Sequence, residues 1–269
     1  MYPVAFSIGS FDIHWYGIFV AVGFLAGLWT AGRRSLLYGL SPDKMAALSP
    51  WIIGGAIIGA RTLYVVTYWD EDFAGKSFVE VFNIRQGGLV YYGGFIGAAL
   101  STFVYTSWKK LALWRVADAF APSVALGHAF GRIGCLMTGC CYGKICELPW
   151  AIQFPKDHLT HPHAVHPTQI YESILNFALY LGLEFLYRKK QFDGQIFAIY
   201  LMAYAALRGF IEMFRSDYAH QQLTGPMTPG QLMGILIFGA GLGLYILRAR
   251  SPKSVVATPS HDRSSQDHR

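Results

Sequence analysis

The stretch VADAFAPSVALGHAFGRIGCLM, residues Val116–Met137, joins an apolar run long enough to cross a membrane to an arginine, Arg132, near its end. A helix of about twenty apolar residues spans the roughly 30 Å hydrocarbon core of a bilayer. A lone cation within it costs about 2.5 to 3.5 kcal/mol on insertion scales, so an arginine there indicates an anion, a partner or a function. This stretch therefore predicts a membrane helix that carries part of a charged site.

The composition places the rest of the chain in a membrane as well. Of the 269 residues, 53% are hydrophobic and only 14% are charged, whereas soluble domains carry about 25% charged residues. The net charge of +6 does not indicate nucleic-acid binding, because the basic residues stand at the ends of apolar segments rather than on one face. No cleavable signal peptide is expected, since the first ten residues lack a basic start and the first apolar run is long enough to stay in the membrane.

Seven apolar segments predict an all-α membrane protein, a seven-transmembrane-helix bundle. Basic residues follow every odd-numbered segment, which places the N terminus outside (periplasmic) and the C terminus in the cytoplasm. Residues 1–250 are predicted to form a single membrane domain, and residues 251–269, rich in serine, histidine and charge, a disordered cytoplasmic tail. The predicted segments are Trp15–Leu37, Ala46–Tyr68, Gly87–Trp108, Val116–Met137, Ile170–Tyr187, Gln195–Phe214 and Pro229–Leu247.

Three arginines, Arg61, Arg132 and Arg208, fall within or at the rim of these apolar segments. Arg61 has two interpretations, a structural pair with a carboxylate such as Asp118 or a phosphate contact. Arg208 stands four residues before Glu212, so the two share a helix face and can pair within one turn. The alternative is that Arg208 and Arg132 clamp one anionic group, because guanidinium forks match phosphate oxygens.

Two further segments at the predicted outer face carry candidate residues. Tyr92 lies among glycines, where it fits either a membrane-interface aromatic belt or a ligand site in which Gly93 and Gly94 let the backbone come close to the ligand. His166 precedes Pro167, which suits a helix start. His166 is either a residue that caps this helix or a group that transfers a proton near neutral pH.

The four cysteines are spaced C-x4-C-C-x4-C, between Cys135 and Cys146. This spacing matches neither the C-x2-C pairs usual for zinc nor a redox C-x-x-C motif. A bound metal and a disulfide in an oxidising outer compartment are the alternatives to free, packed thiols, which we favour.

Taken together, five motifs resemble the phosphatidylglycerol–prolipoprotein diacylglyceryl transferase family, in order and spacing, from about residue 6 to 250. Each motif is weak alone, but five in register on a seven-segment chain make a specific match. They are His14-Trp15-Tyr16-Gly17, Gly87-Gly88 with Tyr92-Gly93-Gly94, Gly131-Arg132-Ile133-Gly134, His166-Pro167-Thr168-Gln169-Ile170-Tyr171-Glu172, and Arg208 with Glu212 and Phe214-Arg215.

The resemblance implies an enzyme that moves the diacylglyceryl group of phosphatidylglycerol onto the lipobox cysteine of a prolipoprotein signal peptide and releases glycerol 1-phosphate. It implies catalytic roles for Arg132, Arg208 and Tyr92. Substrate contacts are expected from Tyr16, Arg61, Gly93, Gly94, His166 and Glu212. No cofactor or metal is required, and we expect a monomer in the bacterial inner membrane, with membrane lipid around it and the active site toward the outer leaflet.

Two departures from the family pattern stand out. After Gly-Arg-x-Gly the family usually has two asparagines and a glutamate, whereas this chain has Cys135, Thr138 and Cys140. Where the family has histidine in its His-Gly-Gly motif, this chain has Tyr92, and a tyrosine with an ordinary pKa of about 10 is a poor resting base. The proton acceptor is therefore Tyr92, another group such as His166, or no dedicated residue.

Two other functions are compatible with the sequence. One is a small transporter or lipid-binding bundle whose buried arginine–carboxylate pairs line a substrate path. The absence of an internal inverted repeat in the sequence counts against it. The other is a related transferase with a different acceptor.

Overall fold

The computed structural model describes residues 3–9, 11–84, 87–215 and 229–250. Within them lie seven long helices and two short two-stranded sheets. In chain order these are β1 (Val4–Ile8), β2 (Phe11–His14), α1 (Trp15–Ser35), α2 (Pro42–Thr67), α3 (Tyr91–Trp108), α4 (Leu113–Thr138), β3 (Ile152–Gln153), β4 (Ala164–Val165), α5 (Thr168–Tyr187), α6 (Gln195–Glu212) and α7 (Pro229–Arg250). Both sheets are antiparallel.

The seven helices overlap the seven predicted segments, and the chain is an all-helical membrane protein. Among the described residues, three stretches are long and apolar enough to cross a membrane by length and composition, Trp15–Tyr38, Pro42–Thr67 and Gly230–Arg250. α4, α5 and α6 carry buried charged side chains, among them Asp118, Glu172 and Glu212. The count of seven crossings and the orientation stay predictions, and the predicted tail, residues 251–269, lies outside the described residues.

Helix α4 is at the centre of the bundle. It packs along α1 and α5 and also contacts α6, whereas α2 pairs mainly with α3 and α7 with α6. Small residues allow the close approach of α1 to α4: a Cβ on Gly23 would lie 2.9 Å from Phe130 Cβ, and one on Gly27 would lie 3.2 Å from the Ser123 carbonyl oxygen. Close packing of small residues is the usual way in which membrane helices associate.

The seam between α2 and α3 is made by glycines of both helices. A Cβ on Gly59 would lie 2.3 Å from the carbonyl oxygen of Gly93, and a Cβ on Gly97 would lie 2.0 Å from that of Gly55. Each helix thus presents two glycines four residues apart, the small-xxx-small spacing of membrane helix pairs.

The predicted start of the third segment at Gly87 is wrong by four residues. The reason for that error is the backbone at Gly87 and Gly88. Their φ angles are 89° and 76°, in the left-handed region that glycine adopts readily. A right-handed helix cannot pass through these two residues, so α3 begins only at Tyr91.

We expect Gly97→Ala to loosen the α2–α3 seam. The added methyl meets backbone rather than a flexible side chain, so the free energy of unfolding should fall by about 1 to 3 kcal/mol. Thermal unfolding in detergent, followed by circular dichroism, measures the change.

Gly54→Ala is the matched control, because a Cβ there meets nothing within 4 Å and alanine in a helix is favoured over glycine by about 0.5 to 1 kcal/mol. Equal melting temperatures for the two variants would contradict the glycine seam.

Buried ion pairs lie at the end of the bundle where α1 ends and α4 begins. Arg34 and Lys190 are two of the basic residues at the ends of apolar segments, and both are buried. Arg34 pairs with Glu184, and the Lys190 ammonium lies 3.0 Å from a carboxylate oxygen of Asp118. Each cation is drawn inward by an acidic partner on a neighbouring helix, which charge counting along the sequence does not reveal.

Candidate functional site

The position of the candidate site follows from a contact between α4 and α6. The rings of His128 on α4 and Tyr204 on α6 lie 5.2 Å apart. Arg132 and Arg208 each follow four residues later, about one helical turn on. The C-terminal ends of both helices lie at the same end of the bundle, because Gly143, just beyond α4, bridges Arg215, just beyond α6. The fold therefore brings Arg132 and Arg208 to the same level on neighbouring helices.

Carboxylates from α5 and α6 hold these arginines in place. Arg132 Nε lies 2.5 Å from Glu172 Oε2, and Arg208 Nη1 lies 2.5 Å from Glu212 Oε2. The predicted pair of Arg208 and Glu212 is confirmed. Arg215 also contacts Glu172, at 3.3 Å, so one carboxylate serves two guanidinium groups.

This group of five residues, the arginine cluster, carries more positive than negative charge. It contains Arg132, Arg208 and Arg215 against Glu172 and Glu212. The side chains of the five are between 2% and 16% exposed, so solvent screens them weakly. Because three cations face two anions, the cluster attracts one further negative charge.

Arg215 was not among the predicted site residues. Its side chain is only 5% exposed. Its spacing in the sequence gives a signal that could have identified it, since it follows Glu212 by three residues directly after an apolar helix.

Arg61 is held by backbone carbonyls of the loop between α2 and α3. Its Nε donates to the Val81 carbonyl at 2.7 Å and its Nη2 to the Glu80 carbonyl at 2.7 Å. Its Nη1 donates to the carbonyls of Gly87 and Gly88, both at 3.1 Å. Arg61 thus fastens this loop to the end of α2, while a phosphate contact stays a prediction.

The alternative pairing of Arg61 with Asp118 is wrong. Asp118 lies in the second turn of α4 and binds Lys190, whereas Arg61 lies toward the C-terminal end of α2. The two residues belong to opposite ends of the bundle, so they cannot form a pair.

Tyr92, Gly93 and Gly94 lie in the first turn of α3. The Tyr92 side chain is exposed. A Cβ on Gly93 would lie 2.3 Å from the Gly59 carbonyl oxygen, and one on Gly94 would lie 3.4 Å from that of Ala56. Contact with α2 is thus a sufficient reason for glycine at position 93, and a ligand contact at Gly93 or Gly94 stays a prediction.

Tyr16 lies against α4 beside Arg132. A Cβ on Gly134 would lie 3.1 Å from both the Tyr16 Cα atom and its ring. Glycine at position 134 therefore lets the first turn of α1 pack beside the turn of α4 that carries Arg132, and the Tyr16 side chain remains half-exposed.

His166 belongs to the loop that covers this end of the bundle. Its backbone N–H donates to the Lys144 carbonyl, and its carbonyl accepts from Gly143 N–H, both at 3.0 Å. Its ring Nδ1 lies 3.4 Å from the hydroxyl of Tyr171. The capping interpretation is wrong, because the N-cap of α5 is Pro167 rather than His166 and no side chain caps this helix.

Two further buried residues, not predicted as site residues, join the loop to α5. Thr168 Oγ1 donates to the Cys141 carbonyl at 2.7 Å, and Gln169 Nε2 donates to the Cys140 carbonyl at 2.6 Å. Both belong to the first turn of α5, and Glu172 lies in the next turn of the same helix. The same helix start thus positions the cysteine-bearing turn and the carboxylate that binds Arg132.

All four cysteines are free thiols. Cys141 lies beyond the end of α4, and its surroundings stabilise the thiolate form. Hydrogen bonds from the Cys135 and Cys140 thiols, together with the charges of Arg132 and Arg215, lower the pKa of the Cys141 thiol. Among the thiols at this end of α4, Cys141 therefore loses its proton most readily.

Comparison with known proteins gives a consistent result. Residues 3–247 match the family model described as prolipoprotein diacylglyceryl transferase. Similar proteins named phosphatidylglycerol–prolipoprotein diacylglyceryl transferase include one of Finegoldia magna, 37% identical over 244 residues (90% of this chain and 94% of the relative). One of Bordetella bronchiseptica is 33% identical over 256 residues (93% and 96%), and one of Thermosynechococcus vestitus is 31% identical over 248 residues (90% and 91%).

Proposed function

The chain belongs to the prolipoprotein diacylglyceryl transferase family, and on that premise we propose that it transfers the diacylglyceryl group of phosphatidylglycerol to the lipobox cysteine of a prolipoprotein. The products are a thioether-linked lipid on the peptide and glycerol 1-phosphate. The observation that carries the proposal is the arginine cluster, whose extra positive charge lies within an apolar bundle. A lipid with one anionic phosphate matches that charge.

The lipid phosphate binds between Arg132 and Arg208. Both guanidinium groups are already oriented by Glu172 and Glu212, so little reorganisation is needed when the lipid arrives. A guanidinium can contact a carboxylate through one edge and a phosphate through another, since it offers five N–H donors. Tyr16 and Glu212 orient the head group, and the acyl chains stay in the surrounding lipid.

The reaction is a displacement at the glyceryl carbon that bears the phosphate ester. The peptide sulfur forms a bond to this carbon while the carbon–oxygen bond to phosphate breaks, and the bonding electrons leave with the phosphate oxygen. The thiol proton must be taken up, and the growing negative charge on the leaving phosphate is stabilised by Arg132 and Arg208. Preorganised charges of this kind lower a barrier by several kcal/mol, commonly about 3 to 4 for a single donor.

Tyr92 is the proposed proton acceptor. A tyrosine hydroxyl both accepts and donates a hydrogen bond, so it can take a proton from the thiol while it passes its own to water, without a resting tyrosinate. The Tyr92 side chain is exposed in the first turn of α3, where the proposal places the proton transfer.

The proposed orientation in the membrane rests on the distribution of basic residues. With seven crossings and the N terminus outside, the end of the bundle that holds the arginine cluster faces the outer leaflet of the inner membrane. Phosphatidylglycerol then enters sideways from that leaflet, and the signal peptide reaches the cluster from the same side.

The direct test is an assay with purified protein, phosphatidylglycerol and a synthetic lipobox peptide. Mass spectrometry should find the peptide heavier by one diacylglyceryl group, together with free glycerol 1-phosphate. A peptide with serine in place of cysteine is the control. Absence of the lipidated peptide would overturn the proposal, and glycerol 1-phosphate released without peptide modification would indicate a different acceptor.

Tyr92→Phe tests the proton relay. It removes only the hydroxyl, so turnover should fall by about 100-fold, the lower end of general acid–base contributions, with little change in the KM for phosphatidylglycerol. Initial rates from the same assay measure it. His166→Asn is the comparison: if it loses more activity than Tyr92→Phe, His166 rather than Tyr92 takes the proton.

A further inference from the structure

The end of α4 brings three of the four cysteines together. One ligand atom from each of Cys135, Cys140 and Cys141 lies within 4.8 Å of the other two. Three sulfurs bound to one zinc ion at about 2.3 Å would stand about 3.8 Å apart in tetrahedral geometry. The distances between the three thiols are therefore within about 1 Å of the sulfur–sulfur distance around one zinc ion.

The helix terminus accounts for this convergence. α4 ends at Gly139, whose φ of 79° is the left-handed conformation that terminates helices. The Cys140 N–H donates back to the Cys135 carbonyl at 3.2 Å, which is the six-residue bond of a Schellman turn. That turn folds residue i+5 over residue i, so the spacing C-x4-C brings two sulfurs together where C-x2-C would do so in a zinc knuckle.

Cys141 reaches the same point through an unusual backbone conformation. Its φ is 63°, a region that costs a non-glycine residue free energy and that clusters at functional sites. The carbonyls on both sides of this turn are fixed, since Cys140 accepts from Gln169 and Cys141 from Thr168. α5 therefore holds the turn in the conformation that points three thiols together.

The chemistry of the three side chains selects a class of ligand. Thiolates prefer soft ions such as Cu⁺ and Zn²⁺ over hard ions such as Mg²⁺ or Ca²⁺. Among the described residues, the group that could hold a metal ion contains these three cysteines and no histidine or carboxylate. Cys140 is exposed, which gives an ion a route in from solvent.

From this geometry we propose that Cys135, Cys140 and Cys141 form a three-sulfur site for one soft d¹⁰ metal ion, Zn²⁺ or Cu⁺. Binding replaces the thiol protons, which are released to solvent, and oxidation state does not change. A fourth position on Zn²⁺ would be filled by water. The site is separate from the groups proposed to carry out the transfer reaction, although its sulfurs lie beside Arg132.

The test is metal uptake by the fully reduced, purified chain. Titration with Zn²⁺ alone and with Cu⁺ alone, followed by removal of free metal and elemental analysis, should give one ion per chain for at least one of the two. Cys135→Ser, Cys140→Ser and Cys141→Ser should each weaken binding by at least about 10-fold, since even the loss of a supporting residue outside the ligand set has that effect. Cys146→Ser is the matched control, because Cys146 lies outside the group, and it should bind as the unmodified chain does.

Two measurements keep the result interpretable. Thermal unfolding of each serine variant without metal shows whether lost binding comes from lost folding. X-ray absorption on the unmodified metal-bound chain counts the sulfur ligands without any substitution, and three are expected. No stoichiometric uptake by the reduced chain, or fewer than three sulfurs around the ion, would overturn the proposal. Transferase activity enters neither result, so the proposed function is tested separately.

Discussion

Replacing Arg132 by lysine is expected to lower turnover by about 100- to 1,000-fold, the usual effect of losing one preorganised donor to a developing oxyanion. The positive charge is kept in this variant, so the loss comes from geometry. Arg132 uses its guanidinium to contact Glu172 at 2.5 Å and has further N–H groups for a phosphate. A lysine ammonium is a point charge without this planar fork and cannot serve both partners in the same way.

The measurement is the initial rate of peptide lipidation at saturating phosphatidylglycerol. The decrease should appear mainly in kcat, because the contact strengthens as the phosphate departs. Arg33→Lys is the control. Arg33 lies over the ring of Trp29 near the C-terminal end of α1, away from the arginine cluster, so its replacement should leave the rate unchanged. Retention of more than half of the activity by Arg132→Lys would contradict the phosphate clamp.

A double variant separates a shared role from two independent ones. If Arg132 and Arg208 hold the same phosphate, the loss in Arg132→Lys with Arg208→Lys should be smaller than the product of the two single losses, because residues acting as a unit are not additive. Independent losses that multiply fully would argue that the two arginines contact different groups.

The apolar runs predicted the positions of the helices, and the spacing of residues along one helix predicted an ion pair within it. The starts of α1, α6 and α7 coincide with predicted starts, because membrane helices must satisfy their own backbone and are marked by hydropathy. The Arg208–Glu212 pair was predictable for a similar reason, since both residues share one helix and four residues fix their relative position.

Contacts between elements were not accessible in this way. Glu172 serves both Arg132 and Arg215, and this depends on how α4, α5 and the end of α6 pack. Arg61 binds four backbone carbonyls of a loop. Backbone partners cannot be predicted from the pattern of side chains in the sequence. The cysteine group needed a Schellman turn, which a glycine at position 139 permits but does not by itself predict.

Asp118→Ala is expected to cost about 3 to 5 kcal/mol of folding free energy, the range for breaking a buried ion pair by removing one partner. Asp118 is fully buried. Its carboxylate accepts from Lys190 Nζ at 3.0 Å and from the N–H groups of Gly194 and Phe197 at 2.8 and 3.0 Å. Those two N–H groups belong to the start of α6, whose own N-cap, Gly194, offers no side chain, so Asp118 caps a helix from across the bundle.

The alanine variant therefore loses a charge partner for Lys190 and the acceptor of a helix N terminus at once. Chemical or thermal unfolding in detergent measures the loss. Asp43→Ala is the matched control: Asp43 is an exposed acid in the first turn of α2, and its removal should cost at most about 1 kcal/mol. Because Asp118 lies at the opposite end of the bundle from the arginine cluster, the folded fraction of the variant should keep its turnover per molecule. A stable Asp118→Ala protein with reduced turnover would instead show that this buried pair acts on the site rather than on the fold.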